Sequence, residues 1–258
     1  MIPKIIHYCW LSGDPFPPQI QKCLDSWKKH LPEYEFILWD TKRFVLEDSI
    51  WVKQAFEKKK YAFAADYIRL YALYHHGGIY LDCDVEVVKD FDDLLSLPYF
   101  ACTEGANIIE AGAFAAVQGL NWIKDCLDYF KDREFVKPDG TLDTWPLPQI
   151  MMKVLSKNYI TKVVSKAEFL IQTPDFEKEK IFYMLPKEYF CAKDMGTGLF
   201  LKTDETYCIH HFEMSWIPKN KVWISNQKRK LIRLIGVKNV NLMIALLGLK
   251  KIKEKLSR

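Results

Sequence analysis

Asp82 and Asp84 are the residues whose type and spacing most directly indicate chemistry in this sequence. One residue separates them, so on an extended strand both carboxylates would lie on the same face. Mg²⁺ and Mn²⁺ prefer oxygen ligands, and proteins often share such ions with the phosphates of a substrate. The pair therefore suggests a divalent-cation site that could neutralise a diphosphate leaving group. The alternative interpretation is a pair of solvated surface aspartates.

Asp66 and Arg69 form a second candidate pair. They are three positions apart in a predicted helix over residues 62–76, so they share one helical face. The surrounding residues of this helix are mostly apolar, which predicts that it is buried. A carboxylate beside a guanidinium could bind sugar hydroxyls and phosphate oxygens. An internal ion pair without a binding role fits the spacing equally well.

The elements that would position these residues follow an α/β pattern. A strand over 4–10, a helix that begins at Pro17 and Pro18, and a strand over 34–39 are typical of a nucleotide-binding sheet. No GxGxxG motif accompanies them, so a dinucleotide fingerprint is absent. The first helix has its apolar residues at helical spacing, namely Ile20, Cys23, Leu24 and Trp27.

The two aspartates are predicted to lie on a single strand over residues 79–88. Gly77 and Gly78 end the preceding helix, and residue type then alternates strictly along the strand. One face is apolar, and the other carries Tyr80, Asp82, Asp84 and Glu86. Further along the chain, the patterns predict helices over 120–130 and 149–155 and strands over 182–190 and 206–212.

Composition narrows the class of protein. The chain has 258 residues with 49% hydrophobic and 27% charged residues, which is typical of one sizeable globular domain. A net charge of +4 is too small to indicate nucleic acid as a partner. Seven cysteines without a CxxC pair argue against a disulfide framework and a structural zinc site, which favours a reducing compartment. We expect neither a signal peptide nor a membrane-spanning helix.

Three blocks of this sequence carry a resemblance to a known family. AFAADYIRLYALYHHGGIYLDCDVE, residues 62–86, resembles the signature of glycosyltransferase family 32, the DXD-containing sugar-binding group. That group includes yeast α-1,6-mannosyltransferases and bacterial capsule-synthesis transferases, and it is similar to the glucosyltransferase domains of clostridial toxins. PKIIHYCWLSG, residues 3–13, resembles the opening strand of the family, and IHHFEMSW, residues 209–216, resembles its closing element.

The resemblance implies an α/β fold of the GT-A type and a role for each matching residue. The implied donor contacts are base stacking by Trp10, sugar binding by Asp66 and Arg69, a pocket wall from Tyr80, and diphosphate contacts from Ser215 and Trp216. Asp82 and Asp84 are implied to bind the metal and the donor diphosphate, with Asp84 the more direct metal ligand. His210 or His211 is implied to complete the metal shell. A structural role for the two histidines is the alternative. Met214 stands where relatives usually carry glycine, which bears on the loop conformation.

The expected activity is that of a retaining glycosyltransferase that uses Mn²⁺ or Mg²⁺ and a nucleotide-sugar donor. A UDP-sugar is favoured and GDP-mannose is open. The acceptor would be a glycan or a lipid-linked oligosaccharide, in bacterial capsular or surface polysaccharide synthesis. The sequence offers no convincing nucleophile, since Glu86 lies too far along the strand. The resemblance implies front-side attack by the acceptor, without a covalent intermediate. A metal-dependent phosphohydrolase and a non-catalytic carbohydrate- or nucleotide-binding module are the alternatives.

The C-terminal segment has a different composition from the rest of the chain. We expect a glycosyltransferase domain over 1–226 and a basic amphipathic helical tail over 227–258, in which clusters of lysine and arginine flank apolar residues. Such a tail suits the anionic inner face of a cell membrane, which predicts a cytoplasmic protein with peripheral attachment. A helix packed on the domain, with solvated lysines, is the alternative.

Overall fold

A computed structural model of the chain describes residues 1–213 and 219–246. It divides into two compact units, one made of residues 1–192 and 202–212 and the other of residues 193–201 with the described part of 213–258. The predicted division between residues 226 and 227 falls within a long helix of the second unit, and it stays a prediction.

The elements of the chain are numbered in chain order. The helices are α1 Pro18–His30, α2 Ile50–Glu57, α3 Tyr61–His76, α4 Asn121–Asp128, α5 Leu147–Leu155, α6 Lys166–Gln172, α7 Phe176–Glu179 and α8 Lys219–Leu246. The strands are β1 Ile5–Cys9, β2 Glu35–Trp39, β3 Gly78–Leu81, β4 Val85–Val87, β5 Tyr99–Phe100, β6 Thr103–Gly105, β7 Ile108–Ile109, β8 Ala113–Ala116, β9 Ile160–Val163, β10 Ile181–Met184 and β11 Cys208–His210.

A five-stranded mixed sheet forms the centre of the first unit, in the order β2-β1-β3-β8-β5. β1 pairs in parallel with β2 and β3, whereas β8 is antiparallel to both β3 and β5. α3 packs against β1, β3 and β8, and it buries nine of its residues. This mixed sheet with its helices confirms the predicted α/β class.

The prediction of one continuous strand over residues 79–88 is wrong. β3 ends at Leu81 and β4 begins at Val85, and a turn closed by the 2.9 Å hydrogen bond from Val85 N to Asp82 O separates them. β3 belongs to the central sheet, but β4 leaves it and pairs antiparallel with β11. Asp82 and Asp84 therefore lie in a turn between two sheets rather than on one face of a strand.

The remaining predicted elements exist with shifted bounds. α1 confirms the predicted helix, and its apolar face is buried through Ile20, Cys23, Leu24 and Trp27. α4 and α5 match the two later helices, while β10 and β11 are shorter than the strands predicted over 182–190 and 206–212. α2 was not predicted, although Ser49 caps it by accepting a hydrogen bond from Val52 N.

The second unit consists of a short hairpin-like segment and α8. Gly236, at φ +82°, interrupts the helical backbone of α8. Arg229 of α8 donates a 2.6 Å hydrogen bond to the carbonyl of Met195 and packs against Gly198. Within residues 1–213 and 219–246, no helix combines the length and the apolar character needed to cross a membrane.

Candidate functional site

Arg69 is the centre of a buried charge network on α3. Its guanidinium is 3.2 Å from Asp66 Oδ1 and contacts both oxygens of Asp82, at 3.2 and 3.3 Å. It also donates a 2.6 Å hydrogen bond to the carbonyl of Ala111. Arg69 is only 5% exposed, so its charge is compensated within the protein. The pair predicted from the sequence is thus an ion pair, and it extends to the first aspartate of the DxD turn.

Tyr80 of β3 adds a second contact to the same aspartate. Its hydroxyl donates a 2.9 Å hydrogen bond to Asp82 Oδ1, and its ring lies under the Arg69 guanidinium at 4.5 Å. Tyr80 is fully buried, and burial raises the pKa of its hydroxyl well above the ordinary value. The neutral phenol and the cationic guanidinium together fix the orientation of the Asp82 carboxylate.

Asp66 is the most deeply buried carboxyl of this network. Burial raises its pKa to about 7, the positive charge of Arg69 opposes that rise, and the negative charge of Asp82 adds to it. Asp66 and Asp82 thus share the single guanidinium of Arg69. One positive charge does not offset the burial of Asp66 together with the charge of Asp82, so Asp66 is protonated more easily than an ordinary aspartate. The arrangement therefore gives the site one carboxyl group, Asp66, whose pKa lies close to neutral pH.

The DxD turn converges with only one of the two candidate histidines. Ligand atoms of Asp82, Asp84 and His210 all lie within 4.8 Å of one another. His210 Nε2 is 3.4 Å from Asp84 Oδ1. His211 instead lies 2.8 Å from Glu86 through its Nε2 atom. Neighbouring residues of a strand point to opposite faces, so β11 directs its last histidine and the next residue to different carboxylates.

Two residues that contact the site were not predicted from the sequence, and both precede β8. Glu110 is 2% exposed, and its Oε1 atom lies 3.0 Å from His210 Nδ1. Gly112 donates a 2.6 Å hydrogen bond to the same oxygen, and its carbonyl accepts a 2.7 Å hydrogen bond from Asp82 N. The available signal was an acidic residue and a glycine inside the apolar run over 107–117.

The electrostatics of His210 follow from its two acidic neighbours. Burial disfavours a charged imidazole, but Asp84 and Glu110 outweigh it and raise the pKa of His210 well above the ordinary value. His210 correspondingly holds the pKa of Glu110 below its usual range, against the effect of burial. Burial and the negative charge of Glu110 also raise the pKa of Glu104 to about 7. These shifts share one cause, namely the close packing of acidic side chains around the His210 imidazole.

The residues present fit a hard divalent cation. Asp82 and Asp84 offer carboxylate oxygens and His210 offers an imidazole nitrogen, a donor set that suits Mn²⁺ or Mg²⁺ better than soft metals. Asp84 and His210 are each only about an eighth exposed, so the cluster is a recess rather than an open acidic surface. The assignment of these residues as ligands stays a proposal.

Trp10, the predicted base-stacking residue, follows β1 and is partly exposed. Its indole Nε1 donates a 2.7 Å hydrogen bond to the carbonyl of Asp14, and its ring packs against Phe16 at 4.8 Å. These contacts place the ring in the loop that follows the first strand, and its role with a donor base stays a prediction. The predicted diphosphate contacts Ser215 and Trp216 lie outside the described residues, as does Met214.

Residues 17–101 of the chain match the family described as the glycosyltransferase sugar-binding region containing DXD motif. The matched stretch includes α1, α3 and the DxD turn, but neither Glu110 nor His210. The resemblance predicted from the sequence is therefore confirmed over residues 17–101.

Curated relatives match a similar stretch. The chain is 38% identical over 107 residues to Mannosyl phosphorylinositol ceramide synthase SUR1 of Saccharomyces cerevisiae, which is 39% of this chain and 27% of that protein. It is 35% identical over 101 residues to Inositol phosphoceramide mannosyltransferase 3 of Schizosaccharomyces pombe, which is 38% of this chain and 28% of that protein. The chain thus covers little more than a quarter of the length of these relatives.

Solved structures that resemble the chain include the PaToxG Glycosyltransferase, with 18% identity, a TM-score of 0.44, and coverage of 69% of this chain and 86% of that one. A second is a glycosyltransferase involved in the glycosylation of the major capsid of PBCV-1, with 13% identity, a TM-score of 0.44, and coverage of 86% and 98%.

Proposed function

We propose that this chain is a retaining glycosyltransferase that uses a divalent cation and a nucleotide-sugar donor. The observation that carries the proposal is the convergence of Asp82, Asp84 and His210 within 4.8 Å, beside the buried Asp66–Arg69 pair. The match of residues 17–101 to a DXD-containing sugar-binding region supports the same activity. Both the acidic cluster and the adjacent ion pair are then explained by one donor molecule.

In this proposal, one set of residues acts on the diphosphate of the donor and another set on its sugar. A cation held by Asp82, Asp84 and His210 would supply charge neutralisation to the departing nucleoside diphosphate. Arg69 and Tyr80 hold the Asp82 carboxylate in a fixed orientation, which avoids reorganisation during the reaction. Asp66 and Arg69 are proposed to hold the donor sugar through their remaining hydrogen-bonding capacity.

The donor is proposed to be a UDP-sugar or GDP-mannose. The names of the fungal relatives state mannosyl transfer, and those names favour a mannosyl donor and a lipid-linked acceptor for this chain as well. The role in bacterial surface polysaccharide synthesis stays a prediction. So do a cytoplasmic location and a peripheral position on the inner face of the membrane.

The test is a panel of nucleotide sugars assayed with Mn²⁺, with Mg²⁺ and with a chelator. We expect turnover of at least one donor, and we expect chelator to abolish it. Asp84→Ala should lower kcat/KM by about 10³-fold, which corresponds to ~4 kcal/mol of transition-state stabilisation. Asp25→Ala, at an exposed position of α1, is the matched control and should keep its activity.

The same assay separates the alternatives. A phosphohydrolase would turn over donor with water at an undiminished rate when no acceptor is present, whereas a transferase should be accelerated by acceptor. A binding module would retain the nucleotide sugar without any turnover. Full activity of Asp84→Ala in chelator would overturn the assignment of the cation site.

A further inference from the structure

We propose that Glu110 is a positioning residue that holds the His210 imidazole so that its Nε2 atom faces the DxD turn. This inference deepens the proposed function, and it rests on that proposal because it takes His210 as the nitrogen ligand of the cation. Glu110 lies outside the matched family region, and its one sequence signal is that of an acidic residue inside the apolar run over 107–117.

The two ring nitrogens of His210 have different acidic neighbours. Nδ1 lies 3.0 Å from Glu110 Oε1, and Nε2 lies 3.4 Å from Asp84 Oδ1. A proton on Nδ1 donated to Glu110 leaves the Nε2 lone pair free to bind a cation between Asp82 and Asp84. A carboxylate on the far nitrogen of a ligating histidine fixes the tautomer and raises the basicity of the ligand.

Burying the carboxyl group of Glu110 costs free energy, and the contacts around it must offset that cost. Its side chain is 2% exposed, and its Oε1 atom accepts hydrogen bonds from both His210 and Gly112 N. Within the described parts of the chain, Oε2 accepts no hydrogen bond by the usual geometric limits, although the weakly donating Cys191 thiol lies nearby. Burying a carboxylate is costly, and the hydrogen bonds from His210 and Gly112 N to Oε1 offset that cost.

Cys191 belongs to the same cluster as Glu110 and His210. Its sulfur and the ligand atoms of those two residues come within 4.8 Å of one another. Burial and the negative charge of Glu110 raise the pKa of the Cys191 thiol far above its ordinary value. The neutral thiol therefore adds no charge to the Glu110–His210 pair.

A second carboxylate–histidine pair in this chain provides a control for the variants of Glu110. Glu86 and His211 form such a pair at 2.8 Å, through the Nε2 atom of the histidine. Glu86 is about a quarter exposed, and the cation cluster contains His210 and not its neighbour. Removing the charge of Glu86 alters a pair of the same chemistry without touching the ring that faces the turn.

The experiment measures Mn²⁺ affinity in the absence of donor, from the loss of the free-ion signal in electron paramagnetic resonance. Glu110→Gln keeps the shape of the side chain but removes its charge, and we expect the Kd for Mn²⁺ to rise by about 10- to 100-fold. Glu86→Gln should stay within about twofold of the unmodified protein. Pulsed measurements should show the nitrogen coupling of a bound imidazole, lost in His210→Ala and weakened in Glu110→Gln.

A merely structural role of Glu110 would lower the melting temperature without metal and leave the Kd unchanged, and that result overturns the inference. Should Glu110→Gln not fold, Glu110→Asp keeps the charge but withdraws it from Nδ1, and it should weaken Mn²⁺ binding as well. If His210→Ala weakens binding and neither Glu110 variant does, only this inference fails. If the unmodified protein binds no Mn²⁺, the proposed cation site fails with it.

Discussion

Gly112→Ala is the smallest change that should disturb the whole candidate site at once. A Cβ atom on residue 112 would lie 2.8 Å from Glu110 Oε1, 2.8 Å from His210 Cε1 and 2.9 Å from Asp82 Oδ2. The backbone of Gly112 is not in the left-handed region, so alanine is compatible with its dihedral angles. The effect of the substitution therefore comes from contact with these three groups alone.

The magnitude follows from those distances. Ordinary contacts of a Cβ atom begin near 3.4 Å, so each of the three groups must withdraw by about 0.5 Å. They cannot rotate away freely, because Glu110 and Asp82 are held by His210 and Arg69. Overpacking of this kind typically costs ~1–3 kcal/mol of folding free energy. For a chain of this size, that cost corresponds to a fall in Tm of about 2–12 °C.

Function should suffer more than stability. Misplacing reacting or ligating groups by around an ångström can lower a rate by about 10²-fold, so we expect kcat/KM to fall by ~10–100-fold. The assay combines thermal melting, Mn²⁺ titration and donor turnover on the same preparation. Gly196→Ala is the matched control, because its Cβ would meet only Asp194 Oδ1 at 3.5 Å and its φ is also ordinary.

The reasoning fails if Gly112→Ala melts, binds Mn²⁺ and turns over donor as the Gly196→Ala control does. It also fails if the two variants lose stability equally, because the loss would then reflect the added methyl group and not its position. A large loss of Mn²⁺ affinity with a small fall in Tm is the expected outcome.

Three further predictions concern the donor, acid stability and the tail. Asp66→Ala should impair sugar transfer with little change in nucleoside diphosphate affinity, while Trp10→Ala should weaken that affinity by about 1–3 kcal/mol in calorimetry. His7 is buried and neutral, and burial lowers its pKa to about 4, so stability to urea should be full above pH 6.5 and fall by about 3 kcal/mol towards pH 4, less steeply in His7→Gln. The full chain should float with anionic vesicles at low salt, and a truncation before Gln227 should not.

The elements whose sequence pattern lies within a short run of consecutive residues were predicted correctly. The apolar spacing of α1, the Gly77 stop of α3 and the first two strands all appear in the structure. The DxD strand was predicted wrongly for a physical reason. Strict alternation of residue types fits one strand, but it fits equally well two short strands with a tight turn between them. Only the pairing of β4 with β11, about 120 residues later, settles which one forms.

The candidate site was predicted only in part, because much of it is assembled from distant residues. Arg69 and Asp82 are 13 residues apart, whereas Glu110 and His210 are 100 residues apart. Helical spacing could bring Asp66 to Arg69, but nothing local could show that both contact the DxD turn. The choice between two adjacent histidines also depended on which way β11 faces, and that is fixed by its partner strand.

Charge balance connects these separate contacts. The site gathers the carboxyl groups of Asp66, Asp82, Asp84 and Glu110 around one guanidinium and one imidazole. With all groups ionised, negative charges exceed positive charges by two, in a recess where desolvation makes an uncompensated charge costly. The pKa of Asp66, raised to about 7 by burial and Asp82 despite Arg69, reflects that excess. A divalent cation bound by His210 would displace one proton from the imidazole, which leaves three excess negative charges, and it would offset two of them at a place where a diphosphate can share the ion.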